Sequence, residues 1–228
     1  MDNTQTIDVI EINTKSKEKV KSKKIYFVVK RLFDILISLI GMIFLIPITI
    51  IIKIVSLITG DTNKIFFTQE RIGKNGKTFK LYKYRSMIVN ADEELKKILK
   101  KDKKLAKEYK ENKKLHNDPR ITRVGKFIRK FSIDELPQFI NVIKGDMSII
   151  GPRPYLPREK KDMKEYYDIV IKSKPGLTGL WQVSGRSDVS FEKRLELDEE
   201  YEKIKGLKTD SKIFYRTFSA VFGKKGAK

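Results

Sequence analysis

The apolar pattern is uneven along the chain. From Ile35 to Ile52, 18 successive residues, ILISLIGMIFLIPITIII, carry no charge. As a straight helix this run would be roughly 27 Å long, close to the hydrocarbon thickness of a bilayer. A buried core helix is the bland alternative, but the length and isoleucine content favour membrane contact. Pro47 lies inside the run. Proline lacks an N–H and clashes with the carbonyl four residues earlier, so it kinks or breaks the helix, and a break is predicted there with a kinked crossing helix as the alternative. Ser38 or Thr49 would then satisfy freed carbonyls. Downstream the pattern shortens. Ile65–Phe67 and Thr78–Tyr84 read as two strands around Gly73, Asn75 and Gly76, a β-hairpin. Residues 91–115 place Leu95, Ile98, Leu99, Leu105, Ala106 and Tyr109 at helical spacing among ten lysines. That helix either lies on anionic lipid or shows solvent a basic face. Further helices are predicted over 126–144, interrupted near Pro137 and stopped by Gly145, and over 158–172 and 190–205. The predicted class is mainly α with a small β-hairpin. The predicted organisation is a basic, disordered arm over 1–29, a membrane helix over 30–58 and a further domain over 59–228.

Charge refines this picture. The 228 residues carry a net charge of +21, which implies an anionic partner: nucleic acid, an anionic membrane or a phosphorylated substrate. Lysines flank the apolar run on both sides, Lys15 to Arg31 before it and Lys53 to Lys77 after it. Both ends therefore prefer the cytoplasmic side, and a helix that dips into one leaflet and returns is predicted. The run lies too far from Met1, and lacks the cleavage site, to be a signal peptide. There is no cysteine and one histidine, His116. Disulfides, thiolate metal sites, a cysteine nucleophile and a Ser-His triad are excluded or disfavoured. The chemistry falls to carboxylates, lysines, arginines and hydroxyls.

The stretch FSIDELPQFINVIKGDMSIIGPRP (131–154) concentrates such groups. Ser132 and Glu135 have the spacing of a capping box, a purely structural reading of the Asp134–Glu135 pair. A helix N-terminus would also keep Asp134 ionised and stabilise a phosphate beside it, as a carboxylate nucleophile needs. Glu135 could then hold a Mg²⁺ on a diphosphate. In GPRP (151–154) the prolines stiffen the backbone of Arg153, and a rigid guanidinium suits bidentate phosphate binding. A plain stiffened loop is the alternative. Arg85, Arg120, Arg123 and Arg129 are further cations, each an ordinary surface charge when taken singly.

These segments carry a resemblance. KRLFD (30–34), FFTQERIGKNGKTFKLYKYRSM (66–87), DPRITRVGKFIRKFSIDELPQFINVIKGDMSIIGPRP (118–154) and PGLTGLWQVSGRSD (175–188) occur in order and cover most of residues 30–210. They resemble the bacterial sugar transferase family, polyprenyl-phosphate phosphoglycosyl transferases with a single membrane segment. The resemblance implies a re-entrant membrane helix, a catalytic domain lying on the cytoplasmic face of the bacterial plasma membrane, and Mg²⁺. It implies that Asp134 attacks the β-phosphate of a UDP-sugar and releases UMP, and that undecaprenyl phosphate then takes the sugar phosphate. Glu135 matches the metal-associated acid, with Asp134 beside the metal. Arg153 and Arg129 match phosphate-site arginines, with Arg85 and Arg120 as further phosphate-binding candidates. Some members have Ser-Pro at the helix break where this chain has Ile46-Pro47. Larger members carry additional crossing helices and a further domain, and this chain is read as the catalytic portion plus a basic arm. The block 179–201 resembles members that transfer galactose or glucose phosphate, with Arg186 and Asp188 as candidates for the uridine or sugar. Trp181 is read as a stacking residue, an interface anchor or simple core. Anionic lipid is an expected partner, and a homodimer is left open.

Two other classes are tested by the same residues. A membrane-tethered nucleic-acid binder would use the charge with Phe79, Tyr82 and Tyr84. A non-catalytic scaffold would use the basic helix. Both predict indifference to Asp134→Asn, and neither explains an ordered motif series, so the transferase reading is preferred and no nucleic acid is expected.

Overall fold

A computed structural model describes residues 3–184 and 189–222, with side chains from Lys24 to Ser184 and from Val189 to Phe218. The chain opens with helix α1, Asn3–Ile58, of which Lys24–Ile58 is long and apolar enough to cross a membrane. Most of the basic arm expected at the N-terminus lies outside the described side chains. Strands β1 (Phe66–Ile72) and β2 (Thr78–Tyr84) pair antiparallel from Phe66↔Tyr84 to Ile72↔Thr78. Asn75 and Gly76, at φ 58° and 76°, turn the chain between them, so the hairpin is where its turn residues placed it. Strand β1 is longer than predicted because Thr68–Arg71 is polar and hides the alternation.

The predicted 91–115 helix is two helices, α2 (Ala91–Lys101) and α3 (Lys103–Asn112). Asp102 separates them by capping α3, accepting from Lys104 N and Leu105 N. Helix α4 is Arg123–Lys130 and α5 is Gln138–Lys144, which ends at Gly145 with φ 87°. Two three-residue strands missed by periodicity, β3 (Ser148–Ile150) and β4 (Gly176–Thr178), pair in parallel. Most of the predicted 158–172 helix is 3-10 (Pro157–Tyr166), kinked at Lys164 (φ 46°) before the single turn α6, Tyr167–Val170. Helices α7 (Leu180–Ser184), α8 (Phe191–Ile204) and α9 (Leu207–Phe222) complete the fold; Ser190 caps α8.

Helix α1 docks by one stripe. Asp34, Ser38, Gly41, Leu45, Ile52 and Ser56 are buried, at helical spacing, while Leu32, Ile43, Ile46 and Ile58 are more than 60% exposed. A Cβ on Gly41 would lie 2.4 Å from the Phe139 ring, so only glycine lets α5 approach this closely. The KRLFD segment is the seam. Lys30 donates to Asp210 Oδ2 (2.6 Å) and Ile150 O (2.8 Å), and Arg31 caps α5 through Val142 O (2.6 Å) and Ile143 O (2.8 Å). Asp34 accepts from Ser148 Oγ (2.9 Å) and Ile149 N (2.8 Å). The break predicted at Pro47 does not interrupt the helix, which runs through it. Proline removes one backbone bond, and hydroxyls gather nearby: Thr49 Oγ1 donates to Leu45 O at 2.6 Å. Ser38 Oγ, the other expected donor, has no partner. The face turned away from the domain is a continuous apolar surface, much larger than isolated exposed apolar side chains would make.

Candidate active site

The acid pair sits in a 3-10 turn, Ile133–Glu135, between α4 and α5. The capping box expected there is absent. Ser132 adopts φ 56°, and an N-cap needs an extended backbone, so its hydroxyl caps nothing. The left-handed residue instead reverses the chain and turns Asp134 inward, to 7% exposure. The α5 segment that follows is locked to the hairpin by the fully buried Asn141, whose Oδ1 accepts from Tyr82 N (3.0 Å) and whose Nδ2 donates to Lys80 O (2.7 Å). This fixes the acids relative to β2, where Lys83 reaches Glu135 Oε1 at 2.7 Å.

Around the pair lies a cleft of about 1460 Å³. Asp134, Glu135, Lys83, Arg71, Arg129 and Arg153 line its polar part, and Ile37, Ile40, Gly41 and Phe44 of α1 line it on the side of the exposed apolar surface. Burial pushes the Asp134 carboxyl up to about 6; Lys83 and Arg129 oppose that shift and Glu135 adds to it. Glu135 goes the other way. Burial alone would raise its carboxyl, but the Lys83 ammonium beside it, with help from Arg153 and Arg71, holds it below the usual range. The pair is therefore split into one carboxyl poised to titrate and one held ionised.

Arg153 is rigid as its sequence implied. Gly151 N donates to Thr178 O (2.9 Å), Gly176 N to Pro152 O (2.8 Å), and Arg153 N to Asp198 Oδ2 (3.0 Å). A Cβ on Gly151 would meet Lys174 O at 2.4 Å, so the loop can lie this close only with glycine there. The Arg153 guanidinium lies 5.4 Å from the Trp181 ring centroid, with that of Arg194 at 5.5 Å from the same ring, and its Nε has no partner. Trp181 lines the cleft, which favours the stacking reading over simple core. Arg129 is held by one bond, Nε to Ser86 Oγ (2.8 Å).

Arg85 and Arg120 also line the cleft, but their donors are engaged. Arg85 grips Asp61 through Nη2 (2.7 and 2.8 Å) and donates to Lys64 O and Met87 O. Arg120 grips Asp118 and donates to Ala91 O. They shape the walls. Arg186 and Asp188 lie outside the described residues. Lys83 was missed by sequence reasoning. Its signal was register: it shares the strand face of Phe79 and Leu81, where a lysine is out of place unless paired. Among the described residues, no group of three or more acidic or imidazole side chains is gathered to hold a metal by itself. A site of one or two carboxylates completed by substrate phosphates, the usual Mg²⁺ arrangement, fits Glu135 and Asp134.

Comparison with known proteins gives the chain its relatives. The chain is 44% identical over 198 residues to the undecaprenyl-phosphate galactose phosphotransferase of Salmonella typhimurium, covering 87% of this chain and 41% of that protein. It is 36% identical to the UDP-glucose:undecaprenyl-phosphate glucose-1-phosphate transferase of Klebsiella pneumoniae, covering 89% and 42%. It thus spans about two-fifths of the length of these relatives. It is 40% identical to the exopolysaccharide production protein ExoY of Sinorhizobium fredii, covering 87% of each chain. The profile of the bacterial sugar transferases matches residues 25–224, a span that takes in the apolar part of α1, the acid pair and the Arg153 loop, and the chain belongs to that family.

Proposed function

We propose that this chain transfers a hexose-1-phosphate, of galactose or glucose, from a UDP-sugar to undecaprenyl phosphate and releases UMP. It would do so at the cytoplasmic face of the plasma membrane, as the first membrane step of exopolysaccharide, capsule or O-antigen assembly. The observation that supports this reading is the continuity of one cleft, from a cation-lined acid pair to the apolar stripe of a helix long enough to enter a membrane. A soluble sugar nucleotide and a lipid phosphate need such a meeting place. The lysine-rich flanks of the apolar run in α1 favour the cytoplasmic side.

The residues divide the work as follows. The Asp134 carboxylate attacks the β-phosphorus of the UDP-sugar. An Asp134 oxygen–phosphorus bond forms, the bond from that phosphorus to the bridging oxygen breaks, and UMP leaves with the oxygen. Arg153, Arg129 and Lys83 stabilise charge on the transferring phosphoryl group. Undecaprenyl phosphate then attacks the same phosphorus and expels the carboxylate, which restores the enzyme. Mg²⁺ held by Glu135, with Asp134 beside it, would neutralise the diphosphate. Glu135 is suited to this because Lys83 keeps it ionised. Because UMP departs before the lipid reacts, one set of cations serves both phosphates in turn.

The test uses the full chain in nanodiscs. With UDP-galactose or UDP-glucose alone, it should release at most one equivalent of UMP and gain the mass of one hexose phosphate, and undecaprenyl phosphate should discharge the adduct. Intersecting double-reciprocal lines, with no UMP before lipid is added, would overturn the aspartyl route. Failure of both donors to label lipid would overturn the sugar assignment.

A further inference from the structure

The hydrogen bonds around Pro47 tie the apolar helix to the acid pair. Pro47 has no N–H to offer the Ile43 carbonyl, so this turn of α1 is short of one backbone bond. Two residues along, two hydroxyls converge on the Leu45 carbonyl. Thr49 Oγ1 donates to it at 2.6 Å, and Tyr84 Oη lies 2.5 Å from Thr49 Oγ1 and 3.3 Å from Leu45 O. Tyr84 comes from β2, is 1% exposed, and stacks on Phe66 at 5.3 Å. Its ring belongs to a buried cluster with Leu45, Ile52 and Ile128, against which Ile133 and Leu136 pack. Those two residues bracket Asp134 and Glu135.

On the other face of the same strand, the preceding residue is Lys83. Successive strand residues point to opposite sides. Tyr84 therefore reaches α1 while Lys83 reaches Glu135 across the cleft at 2.7 Å. A displacement of Tyr84 along or away from α1 moves the Lys83 backbone with it, and the flanking Ile133 and Leu136 transmit the same displacement to the turn. The chain thus has two hydroxyls on one carbonyl at the proline turn of its apolar helix, and the strand that supplies one of them also supplies the cation of the acid pair.

We infer that the Thr49–Tyr84 hydroxyl pair is a clamp that holds the Pro47 turn of α1 against β2 and thereby sets the position of Lys83 on Glu135, making Tyr84 a positioning residue. Its kinetic part rests on the transfer reaction proposed above. The clamp itself does not.

The test takes four full-length variants in nanodiscs: Tyr84→Phe, Thr49→Val, their double, and Thr49→Ser. Each of the first two deletes a hydroxyl and keeps the shape. Loss of one such bond should lower kcat about three- to tenfold with KM for the UDP-sugar little changed. The double variant should be no worse than the poorer single, because either change opens the same clamp. Thr49→Ser keeps the hydroxyl and should return to the parent rate. The second readout needs no turnover. The chain has no native cysteine, so spin labels at Ile50→Cys and Lys80→Cys, both exposed, report the α1–β2 distance. The distribution should broaden in Tyr84→Phe and Thr49→Val and narrow again in Thr49→Ser. Parent-like kcat in Tyr84→Phe, or additive losses in the double, overturns the positioning role even if distances broaden. Unchanged distances overturn the clamp. A parent protein that transfers no sugar phosphate overturns the reaction reading instead, and the distances then decide the clamp alone.

Discussion

The seam that docks α1 and the cleft that holds the acid pair are built from the same residue types, and they differ in how completely those residues are bonded. At the seam, Asp210 accepts from Lys30, Tyr26 and Tyr201, Asp34 accepts from Ser148 and Ile149, and Arg31 spans two carbonyls. In the cleft the bonding is unfinished. Buried side-chain atoms without a partner include Arg71 Nε, Arg153 Nε, Trp181 Nε1 and Gln182 Oε1, all on cleft-lining residues, and Asp198 Oδ1 behind Arg153. Ser38 Oγ is the one such atom elsewhere among the described residues. An unmade buried bond costs free energy, so its clustering points to groups arranged for something other than stability. Charge saturated by protein is structure, and charge left open beside a poised carboxyl is a site.

The largest effect that can break this contrast is at Asp134. Asparagine has the same shape and no nucleophilic oxygen, so Asp134→Asn should lower transfer on the order of a thousandfold or more. Its thermal midpoint should not fall, because the variant no longer buries an ionisable group. Assay of lipid-linked sugar phosphate and a thermal melt on the same preparation check both halves. A folded Asn variant with substantial turnover would remove Asp134 as nucleophile.

Asp210→Asn probes the seam and should invert that result. It leaves the Lys30 ammonium, 14% exposed, without its ion-pair partner. Removing one member of a buried pair should cost about 3 kcal/mol of stability, seen as a lowered unfolding midpoint. Transfer per folded molecule should stay within about twofold of the parent, since no cleft group is touched. A large fall in rate with stability intact would show that the seam takes part in the chemistry and would erase the distinction.

Much of this was legible before the fold. The hairpin was announced by Gly73, Asn75 and Gly76, the end of α5 by Gly145, and the acid pair and Arg153 by their ordered motifs. What failed had physical reasons. Ser132 and Glu135 have capping-box spacing, but spacing does not report φ, and a left-handed serine cannot cap. Pro47 was read as a break because a proline removes one backbone bond; the loss of one bond does not stop the helix, which runs on through it. KRLFD was recognisable as a motif, yet its role as a dock depends on carbonyls of α5 and β3 that no local pattern displays. Arg85 and Arg120 group with Arg123 and Arg129 as further cations, since a sequence shows charges and not the carboxylates already holding two of them. The stripe of Asp34, just before the apolar run, with Ser38 and Gly41 inside it was readable, as small or polar residues at helical spacing, and marks the docked face.

The smallest effect expected is in the pH dependence of stability, and it sharpens the contrast within the acid pair. Burial places the Asp134 carboxyl at about 6, above its unfolded value near 3.9. Between roughly pH 4 and 6 the folded chain therefore binds more protons here than the unfolded chain. The contribution to stability is full below about pH 4 and is lost as pH rises through 6. Activity runs in the opposite direction, because the nucleophile must be ionised, so the rate should fall about tenfold per pH unit below 6. Glu135, held low by Lys83, gives a slope of the opposite sign at about pH 4, where the unfolded carboxyl binds protons and the folded one does not. It is present in the parent and in Asp134→Asn alike. Asp198 is also raised by burial, to about 7, but it is present in both parent and Asp134→Asn and cancels in their difference. The parent should thus lose on the order of 1–3 kcal/mol relative to Asp134→Asn between pH 4 and 6, measured by denaturant unfolding with a chelator present. Parallel stability curves across that range would mean that Asp134 ionises normally in its cleft, and its burial would no longer explain an acid limb in the rate.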